Sequence, residues 1–286
     1  MKVDGAKGVA NWQFLKRNTG NTGGYESVEH ELKEIRYQSK TYTRLETLMN
    51  RVNETSIKEA HRKQVQNKAV GIDGTTKEEY AKELDKNVAD LITRMKRFSY
   101  KPQPVRRVYI PKTNGKLRPL GIPAYEDRLV QSVMADLLSG IYEERFLDCS
   151  YGFRTNRNAH QVVRLINQTV MTKKINYVLE ADIKGFFDNV NHDWLMKFLE
   201  HDIADKNYLR YVKRFLIAGI MEGTERKESD KGTPQGGQIS PILANVYLHY
   251  VLDLWYEKVI RRLCKGEVYY VRYADDFIML FQYENE

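Results

Sequence analysis

Residues 269–280 read YYVRYADDFIML, two runs of aromatic and apolar residues on either side of Asp275 and Asp276. Such runs flanking a short polar turn predict the two strands of a hairpin. Neighbouring carboxylates between apolar strands are costly to bury unless they bind a cation or accept hydrogen bonds. An Asp-rich turn can also accept bonds from its own backbone, so this stretch alone leaves a purely structural role open.

A second carboxylate source lies in residues 178–188, VLEADIKGFFD, where Asp182 stands near the end of a predicted strand and shortly before Gly185. Taken alone, Asp182 is equally well interpreted as a turn residue. With Asp275 and Asp276 it supplies three hard oxygen ligands. This is the chemistry that holds a pair of Mg²⁺ ions during an in-line phosphoryl displacement.

Composition narrows the possible classes of protein. The chain has 286 residues, 46 Lys and Arg against 38 Asp and Glu, and 42% apolar residues, enough for a large core in one or two domains. No apolar run approaches the roughly 18 residues of a membrane helix and no secretory signal is visible, so we expect no membrane partner. Only Cys149 and Cys264 occur, too few for a disulfide framework or a Cys-ligated zinc site.

The positive charge is concentrated in residues 94–118, which contain nine basic residues and no Asp or Glu. A basic run is often only a solvated face. Here it is interleaved with Phe98, Tyr100 and Tyr109, which suits phosphate contact and base stacking. We therefore predict nucleic acid as the main partner. The residues predicted to contact it are Arg94, Arg97, Lys101, Arg106 and Arg107.

The order of the predicted helices and strands follows from the capping and turn residues and from the spacing of apolar residues. Residues 1–24 are rich in Gly and Asn, which is typical of a flexible leader. Thr76 and Glu79 form a capping box, which predicts the start of a helix. The apolar residues of this helix between positions 84 and 95 are expected to face the core. The strands 105–110 and 116–122 predict a hairpin. Further helices are expected at roughly 127–145, 158–172, 206–218 and 241–263, a helix capped by Asn191, and strands at 177–183 and 267–280.

Several motifs occur in one order, which is far more specific than any one of them. Together they resemble the reverse transcriptases encoded by bacterial and organellar group II introns, which are also maturases. The motifs lie at residues 71–74 (GIDG), 109–123 (YIPKTNGKLRPLGIP), 151–154 (YGFR), 181–188 (ADIKGFFD), 233–237 (TPQGG) and 273–276 (YADD).

The resemblance implies an α+β, right-hand polymerase fold with helix-rich fingers and an antiparallel palm sheet. It implies a helical extension at 25–99, fingers at 100–175 and a palm at 176–286, with helices over 192–228 returning toward the fingers. Family members continue with a thumb and a maturase region, whereas this sequence ends ten residues after Asp276. We therefore expect a fingers and partial-palm portion that is weakly active or inactive alone.

The resemblance also implies metal-site roles. Asp182, Asp275 and Asp276, with the backbone carbonyl of Ile183, correspond to the ligands of two Mg²⁺ ions. Arg154, in the YGFR motif, is placed among the nucleic-acid contacts.

Four further residues correspond to the nucleotide pocket. Lys112 and Arg118 correspond to the cations that clamp a triphosphate, Phe187 to the steric gate against a 2′-hydroxyl, and Gln235 to a residue beside the sugar. Each has a structural alternative, because Phe187 could be core, Lys112 solvated, Gln235 a loop cap and Arg118 the partner of a structural acid.

The implied function is RNA-directed DNA synthesis for intron mobility, with the parent protein also binding intron RNA to assist splicing. Its implied partners are an intron RNA template, a DNA or RNA primer and deoxynucleoside triphosphates. The implied location is a nucleoid-associated ribonucleoprotein in the bacterial cytoplasm. A homodimer is a further possible partner arrangement. The alternatives are an RNA-binding maturase-type module without polymerase activity, and a reverse transcriptase of a retron, a diversity-generating element or a CRISPR locus. The segments before Gly71 and between Tyr151 and Asp182 favour the intron class.

Overall fold

A computed structural model describes residues 24–111, 115, 117–227, 230–233 and 236–286, so nearly all of the predicted leader lies outside the described residues. No helix in these ranges is long and apolar enough to cross a bilayer. The helices are α1 (Gly24–Thr41), α2 (Glu54–Lys63), α3 (Lys77–Ala81), α4 (Leu84–Lys96), α5 (Tyr125–Tyr142), α6 (Ala159–Thr172), α7 (Phe186–Asn189), α8 (His192–Asp202), α9 (Lys206–Leu216) and α10 (Ser240–Leu248 and its continuation to Leu263).

Side-chain caps determine where the N-terminal helices begin. Thr76 and Glu79 form the predicted capping box. The helix that it opens, α3, is only five residues long, because Glu83 leaves the helical conformation (φ −129°, ψ 42°). The apolar stripe predicted for a single helix therefore belongs to a separate helix, α4, whose Val88 and Leu91 are buried.

The first sheet contains the hairpin predicted for the fingers. Strands β1 (Val105–Pro111) and β2 (Leu117–Ile122) form the predicted antiparallel hairpin. The strands β4 (Ile220–Glu222) and β5 (Glu225–Lys227) extend it in the order β2-β1-β4-β5, and β4 runs parallel to β1. The prediction of helices through residue 228 was wrong for this segment, because Gly223, at φ +60°, closes a tight hairpin that only a residue tolerant of positive φ forms easily.

The main core is formed largely by helical residues. Helix α5 is buried along most of its length and packs against α1, α2 and α10. Helices α8 and α9 pack against each other, and Tyr208 of α9 donates a hydrogen bond to the Met134 carbonyl of α5 (2.7 Å). Burial of these apolar faces at roughly 25 cal/mol per Å² is the main stabilising contribution.

The second sheet is the palm sheet, with strands β3 (Tyr177–Asp182), β6 (Val268–Tyr273) and β7 (Asp276–Phe281). All neighbouring pairs are antiparallel, and the order β3-β7-β6 puts β7 in the centre. The predicted strands at 177–183 and 267–280 are confirmed within one residue at each outer end. The α+β class with its antiparallel palm sheet is confirmed as well.

Helix α10 departs from α-helical geometry in the middle. A proline break is not the cause, since Pro241 lies in the first turn, where a missing N–H costs nothing. The segments His249–Asp253 and Tyr256–Ile260 are instead π-helical. A wider turn changes which side chains face inward, and here it buries both His249 and Asp253.

The buried His249 generates a pH prediction. Burial, with Arg272 nearby, lowers the pKa of His249 from 6.5 to about 4, although Asp253 acts in the opposite direction. The unfolded chain therefore binds the proton more readily than the folded chain between these values, and stability is lost as the pH falls from about 6.5 toward 4. The loss can reach about 3 kcal/mol. We expect His249→Phe to flatten this pH dependence in urea unfolding.

The control for this experiment is His160→Phe, on the exposed face of α6. This change should leave the slope of stability against pH as it is in the wild type. A His249→Phe protein with the wild-type slope would show that other groups cause the acid sensitivity.

Candidate active site

The hairpin between β6 and β7 has a loop of only two residues. Tyr273 pairs directly with Asp276, which leaves Ala274 and Asp275 as a two-residue loop. Ala274 has φ +57°, a conformation for which glycine is usual at the start of such a loop. The strain is on the order of 1 kcal/mol and must be offset by surrounding contacts.

Strand β3 supplies the third carboxylate. Asp182, the last residue of β3, is the register partner of Asp276, and the Ile183 amide donates to the Asp275 carbonyl (3.4 Å). The sheet therefore brings Asp182, Asp275 and Asp276 to one end. Asp182 and Asp276 are exposed there, and Asp275 is half-buried.

The electrostatics of this end of the sheet favour a cation. Burial raises the pKa of Asp276, and the charges of Asp182, Asp275 and Glu180 raise it further. Every charge that shifts this carboxyl is thus itself a carboxylate. A bound cation would relieve the repulsion, and carboxylate oxygens are the ligands that Mg²⁺ prefers.

The carboxylates do not already form a closed ligand set. Within the described ranges, no group of three or more His, Cys, Asp or Glu side chains has an arrangement that could hold a metal ion. The carbonyl of Ile183 accepts a hydrogen bond from the Phe186 amide (3.1 Å) and keeps one lone pair. The donor chemistry therefore fits Mg²⁺, while the side chains would have to rotate toward one another to bind it.

Phe186 and Phe187, both in α7, have different surroundings. Gly185, at φ +62°, turns the chain into α7. Phe186 is buried and packs near Tyr247, with ring centres 6.1 Å apart. Phe187 is only half-buried, and its ring stands edge-on to the exposed ring of Phe153 at 6.5 Å. Phe187 is therefore available at the surface of the site.

The described residues of the loop 232–237 contact Phe187 at one end and strand β2 at the other. The Thr233 amide donates to the Phe187 carbonyl (2.7 Å), and a Cβ at Gly232 would lie 2.9 Å from the same oxygen. At the other end, Gly236 is pressed against the Gly121 carbonyl of β2. Gln235 itself lies outside the described residues, so its predicted place beside a sugar stays a prediction.

Of the two predicted triphosphate ligands, the structure describes Arg118, which is exposed on β2 opposite Ile110 of β1. Lys112 lies outside the described residues, so its predicted role stays a prediction. The hairpin approaches Gly236 through the Gly121 carbonyl of β2.

Three of the predicted nucleic-acid contacts are engaged within the chain. Arg94 bonds Asp90 and Glu126, and Arg106 donates to the Val70 carbonyl (2.6 Å). Arg154 is only 8% exposed and pairs with Glu143.

These partners correct the sequence interpretation of Arg94, Arg106 and Arg154, because a guanidinium that holds two segments together is not free to bind phosphate. The basic run alone could not reveal the partners Glu126 and Val70, which lie more than thirty residues from Arg94 and Arg106. The remaining predicted contacts are the exposed Arg97 and Lys101 and the half-buried Arg107.

Sequence reasoning missed the support beneath the hairpin. The Tyr151 amide donates to the Arg272 carbonyl, and the Arg272 amide donates to the Cys149 carbonyl, both at 2.8 Å. A Cβ on Gly152 would overlap the backbone of Ala274, with 2.9 Å to its Cα. The signal in the sequence for this support is Arg272, a charged residue in an otherwise apolar strand. A buried arginine requires hydrogen-bonding partners.

Comparison with known proteins decides the family. Residues 110–286, more than half of the chain, match the family model described as reverse transcriptase (RNA-dependent DNA polymerase). This chain belongs to the reverse transcriptase family. The resemblance to group II intron proteins is also confirmed, since this chain is 40% identical over 175 residues to the group II intron-encoded protein LtrA of Lactococcus lactis subsp. cremoris.

Two further similarities extend this result. Protein YkfC of Escherichia coli is 36% identical over 238 residues, which is 73% of this chain. The nuclear intron maturase 2 of Arabidopsis thaliana is 31% identical over 111 residues, 37% of this chain and 15% of its own. This chain spans 62% of the length of YkfC. The match to LtrA covers 29% of LtrA and 59% of this chain.

A solved structure supports the fold. A chain of a partial Cas6-RT-Cas1--Cas2 complex superposes with a TM-score of 0.50 at 21% identity, covering 83% of this chain and 38% of that one. At this identity, the likeness concerns the fold.

The close approach of Gly152 to Ala274 generates a prediction. We expect Gly152→Ala to lower the free energy of unfolding by about 1–3 kcal/mol, because backbone must move to admit the methyl group. Amide exchange at Arg272, whose N–H bonds Cys149, should accelerate at the same time. Gly223→Ala is the control, because its positive φ makes alanine costly there too, but in the β4–β5 hairpin, so it should leave exchange at Arg272 unchanged. Unchanged exchange at Arg272 in Gly152→Ala would show that the loop does not clamp the hairpin.

Proposed function

We propose that this chain carries the nucleotidyl-transfer site of an RNA-directed DNA polymerase of the group II intron type. The observation that supports it most directly is the register of β3 against β7, which brings Asp182 beside Asp275 and Asp276 within the family-matched segment. Three carboxylates at one end of a sheet suit two divalent cations and an in-line attack on a phosphoryl group.

The carboxylates at the end of the palm sheet would bind the metal ions. Asp182, Asp275 and Asp276, with the Ile183 carbonyl, would hold two Mg²⁺ ions. Bound there, the ions would activate a primer 3′-hydroxyl and neutralise charge on the departing pyrophosphate. Burial, and after it the charges of the neighbouring carboxylates, raise the pKa of Asp276, and a cation bound there would offset both effects.

The incoming nucleotide would lie between α7 and the fingers hairpin. Arg118 and Lys112 would bind the triphosphate, an Arg fork and a Lys point charge being suited to this task. Phe187 would block a ribose 2′-hydroxyl, and Gln235 would line the pocket beside the sugar. The contacts of the loop 232–237 with both Phe187 and Gly121 support this arrangement.

The wider role that we propose is cDNA synthesis for intron mobility, with the whole protein also binding intron RNA to assist splicing. The names of LtrA and of the Arabidopsis intron maturase support this role. We further propose a nucleoid-associated ribonucleoprotein in a bacterial cytoplasm. Exposed apolar side chains such as Met171 and Val178 suit a homodimer.

A maturase-type RNA-binding module without polymerase activity is the second candidate. It is favoured by the open arrangement of the carboxylates, which do not form a ligand set in the described ranges. The exposed Arg97 and Lys101 serve either function.

Removal of one carboxylate tests the proposal. In the full-length parent protein, we expect Asp275→Ala to abolish primer extension with Mg²⁺ and to weaken Mn²⁺ binding, measured by electron paramagnetic resonance, at least tenfold, while RNA affinity stays within about twofold. Asp193→Ala, at an exposed carboxylate on α8, is the matched control. A wild-type chain that binds RNA but neither Mn²⁺ nor a primer end would support the RNA-binding module instead.

The aromatic pair generates a further prediction. We expect Phe187→Ala to raise the ratio of ribonucleotide to deoxynucleotide incorporation by about tenfold or more, because removal of the ring leaves room for a 2′-hydroxyl. Phe198→Ala removes a half-buried ring from the surface of α8 and should leave the ratio unchanged. If sugar discrimination persists in Phe187→Ala, Phe187 is only a packing residue.

A further inference from the structure

Arg272 is a fully buried cation two residues before the strained Ala274. Its partner is Asp253 of α10, also fully buried, which receives bonds from Nε (2.7 Å) and from an Nη (2.6 Å) of the guanidinium. Burying two charges costs several kcal/mol per ion, and even a good pair often only offsets that cost. Stability alone is therefore a weak reason for this pair.

The remaining guanidinium donors are all used as well. Nη1 donates to the Asn245 Oδ1 and to the Ala274 carbonyl, both at 2.9 Å, and Nη2 donates to the Ser150 hydroxyl (2.8 Å). An arginine has five N–H donors, and these three bonds together with the two to Asp253 use all five. A fully satisfied planar fork has little freedom to rotate, so its partners are held at fixed directions.

Each partner comes from a different part of the site. Asn245 lies on α10, which follows the loop 232–237, and its amide also donates to the Gly152 carbonyl (2.7 Å). Ser150 lies in the loop that pairs with β6. The Arg272 guanidinium is thus the point where this loop, α10 and the hairpin meet.

The bond to Ala274 is the one that bears on chemistry. The Ala274 carbonyl belongs to the peptide group that joins Ala274 to Asp275, so a fixed carbonyl fixes the plane from which Asp275 projects. Ala274 has a positive φ that an alanine adopts only at a cost. A donor on its carbonyl is therefore a direct means of holding the loop in that conformation.

We propose that Arg272, oriented by Asp253 and Asn245, is a positioning residue that sets the directions of the Asp275 and Asp276 carboxylates. The inference rests on the proposed nucleotidyl-transfer function. Through Asn245 it also links the carboxylates to α10 and hence to the loop beside Phe187.

Two substitutions test this assignment. Arg272→Lys keeps a cation for Asp253 but cannot reach Asn245, Ser150 and Ala274 together, because an ammonium lacks the fork. Asn245→Ala removes one partner and leaves the ion pair intact. The control is Tyr256→Phe, which deletes a buried hydrogen bond between α10 and the Val268 carbonyl (3.0 Å) at the far end of β6.

The first readout needs no metal. Amide hydrogen exchange over residues 273–277 should accelerate at least tenfold in Arg272→Lys and Asn245→Ala and stay at the wild-type rate in Tyr256→Phe. The second readout is Mn²⁺ affinity by electron paramagnetic resonance, which should fall about tenfold in the two test variants, the usual effect of losing support behind a ligand.

A third readout is primer extension, in which kcat and the Mg²⁺ requirement should change while KM for the nucleotide does not. Folded variants with wild-type exchange over 273–277 and wild-type Mn²⁺ affinity would overturn the assignment. Should Arg272→Lys fail to fold, Asn245→Ala together with Ser150→Ala, which removes a partner of Arg272 but no bond to Gly152, decides the question. A wild-type protein that binds no Mn²⁺ and extends no primer would contradict the proposed function, and the exchange rates would then still decide whether Arg272 positions the loop.

Discussion

The pairing of β7 with two strands at once is the constraint on which the site depends. Side chains alternate between the faces of a strand, so a slip of one residue between β3 and β7 would move Asp182 away from Asp276. On one side β6 is joined to β7 by a two-residue loop, and on the other β3 pairs with β7 over six residues. The three carboxylates converge because this pairing puts Asp182 opposite Asp276, beside the loop that carries Asp275.

The helical core positions the rest of the site. Helix α5 supports α1, α2 and α10, and α10 in turn carries Asn245 and Asp253 toward the palm sheet. The loop before α10 touches α7 on one side and β2 on the other. Fingers and palm therefore share one support, and a change in α10 would reach both the carboxylates and Phe187.

Much of this could be predicted from the sequence, because the evidence for it is local. The hairpin of β1 and β2, the caps at Asn191 and Thr76 and the strands carrying the Asp residues all follow from nearby residues. The partners of Arg94 and Arg154 could not be predicted, since Glu126 and Glu143 are chosen by tertiary packing. The π-helical turns of α10 were missed because packing, not periodicity, determines them, and the β4–β5 hairpin was missed because its strands are only three residues long.

The central position of β7 also has a consequence for biosynthesis. Strand β3 is made about a hundred residues before β7, so its partner does not exist when β3 leaves the ribosome. At about 5–20 residues per second this interval lasts about 5–20 s. During it, Val178 and Leu179, which remain partly exposed even in the folded chain, lie on an unpaired strand edge. A high contact order of this kind makes the nascent chain a candidate client for chaperones until the last strand pairs.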